Sequence, residues 1–137
     1  MSTSAATDCL FCTLPPTRIV HANHLAVVIR DGYPVSRGHT LVLPKRHVRS
    51  FFDLVQAERD AVFELLDVAR RDLDQTLRPD GYNIGINDGP AAGQTVPHLH
   101  VHLIPRYTGD QVDPRGGVRW IFPERADYWS ARSGEPV

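Results

Sequence analysis

The chain has 137 residues and a mass of 15.3 kDa, the size of one domain that can bury its own core. With 15 Lys and Arg against 16 Asp and Glu, the formal net charge is -1. That balance excludes a strong generic attraction to nucleic acid or an anionic membrane, but not a small anionic ligand held by a local site.

No apolar run approaches the ~20 residues of a membrane span; the longest clean one is Leu25 to Ile29. The start, MSTSAATDCL, lacks the basic region and apolar segment of a secretory signal, so the cytoplasm is the expected compartment. Residues 1–8 are small and polar and predict a disordered leader, with residues 9–137 forming a single domain.

Cys9 and Cys12 follow at the C-x2-C spacing of a zinc half-site. In a reducing compartment the pair reads as a metal pair or a redox pair before a structural disulfide. Two buried cysteines acting as small hydrophobes are the plainer alternative. A thioredoxin-like role fits poorly, because the pair does not follow a strand and open a helix.

Pro15–Pro16 breaks the chain. Arg18 to Asp31 then holds two β-rich runs, RIV and LAVVI, with His21-Ala22-Asn23 as a hairpin turn. After the turn signal Asp31-Gly32-Tyr33-Pro34, Gly38 opens the run HTLVLP, which Pro44 ends. One long helix is predicted over Leu54 to Leu77, because its apolar residues form a single stripe at helical spacing. Asp53 is its expected N-cap, with Gln56 reaching back, and Pro79 stops it.

A strand YNIGIN, a loop DGPAAGQ and a strand carrying three histidines follow. From about residue 107 the tail reads as irregular, with a short strand GVRWIF. Four or five short strands and a single long helix predict an α+β fold with a mostly antiparallel sheet of about five strands.

Residues 98–104 read His-Leu-His-Val-His-Leu-Ile. On a strand, His98, His100 and His102 point one way, to a cleft or water, while Leu99, Val101 and Leu103 point to the core. Imidazoles roughly 6.6 Å apart repel one another when charged, so at least one is neutral near pH 7. A neutral imidazole serves as a nucleophile, and its neighbours can hold an anion or give up a proton. The pattern suits attack on a phosphate; a three-histidine metal site and a polar strand without a role are the competing readings.

The segment GQTVPHLHVHLIPR resembles the histidine-triad (HIT) family, whose signature is His-φ-His-φ-His-φ-φ, with φ apolar; all seven positions match. CLFC, RDGYPVSRGHTLVLPKRHV and GINDGPAAGQTV extend the resemblance over most of the chain. It implies a small α+β domain, a homodimer with one continuous sheet, and hydrolysis or transfer of nucleotides through a nucleotidyl-histidine. The implied nucleophile is His100, with the His98 carbonyl taking the His100 Nδ1 proton and with His102 and His39 binding phosphate oxygens. Asp31 matches the residue that bonds the ribose, and Asn87 a phosphate contact. Gln94, Thr95 and Val96 match the loop around the α-phosphate, with the Thr95 hydroxyl where the family bonds the leaving group; exposed backbone N–H groups in Gly93-Gln94-Thr95 would add donors. Ile29 and Leu43 read first as hydrophobic core, with packing against a base as the alternative.

Bacterial members similar at the cysteine pair close a zinc site with two histidines, at positions that here are His47 and His98. A closed Cys9, Cys12, His47, His98 site is structural, so a structural zinc and no organic cofactor are expected. DGPAAGQTV with Pro105-Arg106 is most like the fragile histidine triad branch, which cleaves dinucleoside polyphosphates. Asn87 is instead like the branch that cleaves nucleoside phosphoramidates and aminoacyl-adenylates. Arg119 and Trp120, in a tail that matches neither branch, are candidates for distal phosphates and base stacking, or for dimer or surface contacts. A nucleotide-binding module without turnover is the alternative to an enzyme.

Overall fold

The computed structural model describes residues 8–130, so the leader expected over 1–8 lies outside them except for Asp8. Five strands run in the order β1 (Ile19–Ala22), β2 (Ala26–Arg30), β3 (Thr40–Pro44), β4 (Gly81–Ile86) and β5 (Val101–Arg106). They form one sheet in the spatial order β1-β2-β3-β5-β4, antiparallel throughout. The long helix α1 (Gln56–Thr76) lies between β3 and β4, and a short helix α2 (Pro123–Ala126) sits in the tail. This is the α+β architecture expected from the sequence. Among the described residues no helix is long and apolar enough to cross a membrane.

Burial on both faces explains the unbroken apolar runs of β2 and β3. Ala26, Val28 and Val42 join Val101 and Leu103 against Ala61, Val62, Leu65, Ala69 and Leu73 of α1. On the opposite face Val27, Ile29, Leu41 and Leu43 pack under Phe11, Leu14 and Ile19. Ile29 and Leu43 are therefore core, with no exposed surface. Leu99 belongs to a separate cluster with Val48 and Leu54.

Four local expectations change. His21 and Ala22 belong to β1, and Asn23 makes the turn, its Oδ1 accepting from the backbone of Leu25 and Ala26 at 3.1 and 2.8 Å. Asp53 is not the cap of α1. Ser50 caps a 3-10 turn, Phe51–Asp53, and the helix begins at Gln56 after an extended Leu54. Glu58, 3% exposed, takes the Val55 N–H at 3.0 Å while Arg46 grips its carboxylate at 2.8 and 2.9 Å. That bidentate pair outweighs the propensity of Asp53 and shifts the start of the helix.

The histidine segment is only partly strand. β5 starts at Val101, because the Leu99 N–H bonds the Val48 carbonyl at 2.7 Å and the His98 N–H turns onto Val96 at 2.8 Å. His98 is fully buried rather than cleft-facing. GVRWIF is not a strand either. Gly116 and Gly117 take positive φ, and the chain coils as a 3-10 turn, Gly117–Ile121, into α2.

Gly38 makes the close approach that delivers His39 to β3. Its φ is +90°, and a Cβ there would stand 2.6 Å from Leu77 Cδ1 and 3.0 Å from Leu73 Cδ2. Gly38→Ala is expected to destabilise the fold by about 2 kcal/mol or more, read as a lower urea midpoint.

Candidate active site

His100 and His102 lie on the sheet face away from α1, their ring centroids 5.0 Å apart. The Nδ1 of His100 is 2.9 Å from the His98 carbonyl. A carbonyl only accepts, so Nδ1 carries the hydrogen and Nε2 keeps its lone pair. Among the described residues nothing hydrogen-bonds that Nε2. Phe11 meets the ring edge-on, with centroids 5.1 Å apart.

A second chain of bonds fixes His102. The Val35 N–H donates to His39 Nδ1 at 3.1 Å, which leaves the His39 hydrogen on Nε2. That Nε2 is 2.9 Å from His102 Nδ1, which therefore accepts, so His102 carries its own hydrogen on Nε2. Asp31 Oδ2 stands 3.4 Å from His39 Nε2, and Asp31 Oδ1 takes the Tyr33 N–H at 2.7 Å. Burial pushes His39 below the usual imidazole range, Asp31 opposing and His100 adding to the shift. Burial, then the neighbouring His100 and His39 rings, push His102 down to about 4. The structure thus joins a neutral donor, His102, to a ring with an open nitrogen, His100.

The loop before the triad is stapled by Gln94. Its Oε1 accepts from the Gly89 N–H at 2.8 Å, and its Nε2 donates to the carbonyls of Arg49 and Val96 at 2.9 and 3.1 Å. The Gly93 and Gln94 N–H groups are taken by the carbonyls of Pro90 and Gly89. Of the three backbone donors expected from Gly93, Gln94 and Thr95, only that of Thr95 has no acceptor among the described residues. Thr95 and Asn87 are exposed, and Val96 is half-buried.

An open hollow of about 1200 Å³ adjoins this site, lined by His39, His102 and Asn87. Its far walls include Ile104, Val118 and Trp120, with Arg37 and Arg106 also lining it. His100, Asp31 and Thr95 are not among its lining residues. Trp120 reaches the hollow while its Nε1 bonds the Arg115 carbonyl at 2.8 Å. Arg119 is spent inside the tail: it donates to the carbonyls of Ala126 and Arg125 and stacks on Tyr128. Sequence reasoning missed Phe11, Val35 and Arg37. For Phe11 the only signal was its place between the two cysteines.

Cys9, Cys12, His47 and His98 form a separate cluster, their candidate ligand atoms all within 4.8 Å of one another. His98 Nδ1 is 3.4 Å from both sulfurs, and His47 Nδ1 is 3.2 Å from Cys12 Sγ. A tetrahedral zinc with ordinary Zn–S and Zn–N bonds spaces sulfur and nitrogen about 3.5 Å apart. His98 Nε2 donates to the Pro44 carbonyl at 2.8 Å, so its Nδ1 lone pair faces the thiols, as a ligand requires. Burial and the adjacent Cys9 push the Cys12 thiol up to about 11, so binding as thiolate would release protons. The residues fit a closed Cys2His2 zinc site. A metal held by His98, His100 and His102 together does not fit, because His98 Nδ1 turns to the cysteines and His102 Nδ1 to His39.

The chain is similar to known proteins. The HIT domain matches residues 14–109. An uncharacterised HIT-like protein of Mycoplasma genitalium is 37% identical over 111 residues, 78% of this chain and 79% of that one. The bis(5'-adenosyl)-triphosphatase of Saccharomyces cerevisiae is 36% identical over 97 residues, 70% of this chain but 44% of the yeast protein. A zinc-bound histidine triad family protein from Mycobacterium smegmatis superposes with a TM-score of 0.69 at 36% identity, covering 79% of this chain and 81% of that one.

The lowered affinities of His39 and His102 for protons set the sign of a pH dependence. Below the ordinary imidazole range the unfolded chain binds protons that the folded chain refuses. Stability from these groups is complete above that range and is lost as pH falls toward their folded values. The urea midpoint is expected to drop between pH 7 and pH 5, and His102→Gln to flatten that slope.

Proposed function

The chain belongs to the HIT family, and from that premise we propose that it is a nucleotide hydrolase acting at an α-phosphate through a covalent nucleotidyl-His100. The hydrogen bond from His100 Nδ1 to the His98 carbonyl, 2.9 Å long, carries the reading. It leaves Nε2 as a lone pair beside the neutral donor His102.

In the proposed reaction Nε2 attacks the α-phosphorus in line, and the bond from phosphorus to the leaving group breaks. The charge gained by the imidazole is shared through Nδ1–H with the His98 carbonyl. His102 Nε2–H bonds a phosphate oxygen, and the leaving group departs with a proton from the site or water. Water then cleaves the P–N bond, releasing a nucleoside monophosphate and restoring His100. Asp31 binds the ribose, Asn87 a phosphate oxygen, and the Thr95 N–H and hydroxyl the departing group. Gly93, Gln94 and Val96 shape the loop around them. A zinc held by Cys9, Cys12, His47 and His98 is structural and pins the N-terminal segment to the sheet.

The leaving group is read as the second half of a dinucleoside polyphosphate. A hollow of about 1200 Å³ beside His39, His102 and Asn87, with Trp120 and two arginines among its lining residues, has room for another nucleoside and its phosphates. The similarity to the yeast bis(5'-adenosyl)-triphosphatase points the same way. Asn87 favours a second reading, a phosphoramidase or aminoacyl-adenylate hydrolase. The outer edge of β4 pairs with no described strand and Ile84 on it is 51% exposed, which supports a homodimer joined there into one sheet. The protein is placed in the cytoplasm, without a nucleic-acid partner.

Side-by-side turnover of diadenosine triphosphate and adenosine phosphoramidate tests the substrate. Faster cleavage of the former is expected, and the reverse order would favour the second reading. His100→Ala is expected to lower kcat by about a thousandfold or more while AMP still binds. A chain that binds AMP but cleaves neither substrate would be a binding module.

A further inference from the structure

The peptide that aims the nucleophile lies outside the sheet's ladder. The pairing of β3 with β5 begins at Val42 with Val101, so the His98–Leu99 peptide gains nothing from it. That peptide is fixed from two other sides. The His98 ring sits between the cysteine sulfurs at 3.4 Å and the Pro44 carbonyl at 2.8 Å. The Leu99 N–H, in the same peptide plane, bonds the carbonyl of Val48, the neighbour of His47. Phe11, carried between Cys9 and Cys12, meets both rings, with centroids 5.9 Å from His98 and 5.1 Å from His100.

We propose that Cys9, Cys12 and His47 are positioning residues for the His100 nucleophile, acting through the His98–Leu99 peptide and the Phe11 ring. The proposal rests on the reading of His100 as nucleophile. When the four ligands are drawn onto one ion, His98 and the His47–Val48 segment are locked together. The carbonyl of His98 then keeps a single direction, and so does the ring that donates to it. Without the cluster the carbonyl is held only by the bonds to Pro44 and Val48, so it can tilt from the His100 plane and Nε2 is aimed less tightly. The cluster is therefore expected to act on turnover, not only on folding.

The test follows the ring itself in full-length chain with ¹⁵N-labelled histidine. Zinc added to chelator-stripped protein is expected to slow exchange of the His100 Nδ1–H with water at least tenfold. Cys12→Ala, shown folded by circular dichroism, should lose that protection. Its kcat should fall about tenfold or more with KM and AMP affinity little changed. Cys12→Asp, which keeps a zinc ligand, should recover most of both. A folded Cys12→Ala chain with wild-type kcat and a protected Nδ1–H would overturn the proposal. If Cys12→Ala does not fold, cadmium exchanged for zinc in the wild-type chain decides. The His100 ring nitrogens are expected to shift, and unmoved signals would overturn the proposal. A wild-type chain that cleaves no nucleotide would defeat the enzymatic reading instead, whatever the ring signals do.

Discussion

One hydrogen bond, from the His100 ring to the His98 carbonyl, governs the chemistry open to this fold. An imidazole free in water divides its hydrogen between two nitrogens and points in many directions. A fixed carbonyl at Nδ1 ends both freedoms, leaving one nitrogen bare and aimed. The rest of the site is arranged around that direction. The sheet places His102 next to the ring, the turn at Gly38 brings His39 up behind His102, and the cysteine loop lays Phe11 along the other side.

The same arrangement bears on the charge state of the site in a chain of net charge -1. The histidines around His100 are held below their ordinary proton affinity by burial and by one another. His102 is thereby a neutral donor beside His100 rather than a cation, while both ring nitrogens of His39 and of His98 are already bonded within the protein. The arginine nearest in sequence, Arg106, is already bound to Asp110 and Asn83. Directed dipoles in a partly dry site hold a developing charge well, and they need no reorganisation when the charge arrives.

Much of this was legible in the sequence because the dominant patterns are periodic. The unbroken runs of β2 and β3 follow from a sheet covered on both faces, and the stripe from Ala61 to Leu73 follows from a helix lying on it. The alternation of histidines and aliphatics placed His100, His102, Val101 and Leu103 on their proper faces. The same rule misplaced His98, because alternation presumes a ladder. Residues 98 and 99 are bonded to Val96 and Val48 instead, contacts made by chain far away or folded back on itself. Asp53 failed as a cap for a similar reason: Arg46 holds Glu58 from outside the helix, and no local propensity reports on it. The tail defeated strand propensity because a pair of glycines with positive φ turns the chain before any pairing partner is in reach.

The histidines and the far wall of the hollow lie in different parts of the chain. The match to the HIT domain ends at residue 109, and all four triad and triad-adjacent histidines lie inside it. The far wall of the hollow, with Val112, Val118 and Trp120, lies beyond it. That wall is held by its own contacts: Arg119 on Tyr128, Arg115 on Trp129, and the Trp120 Nε1 on the Arg115 carbonyl. It is also tied to β5 through Asp110, whose carboxylate bonds Arg106 at 2.8 and 2.9 Å. The histidines thus lie within residues 14–109 and part of the hollow's far wall within residues 110–120; under the proposed reading, changes in that wall would join one chemistry to different substrates.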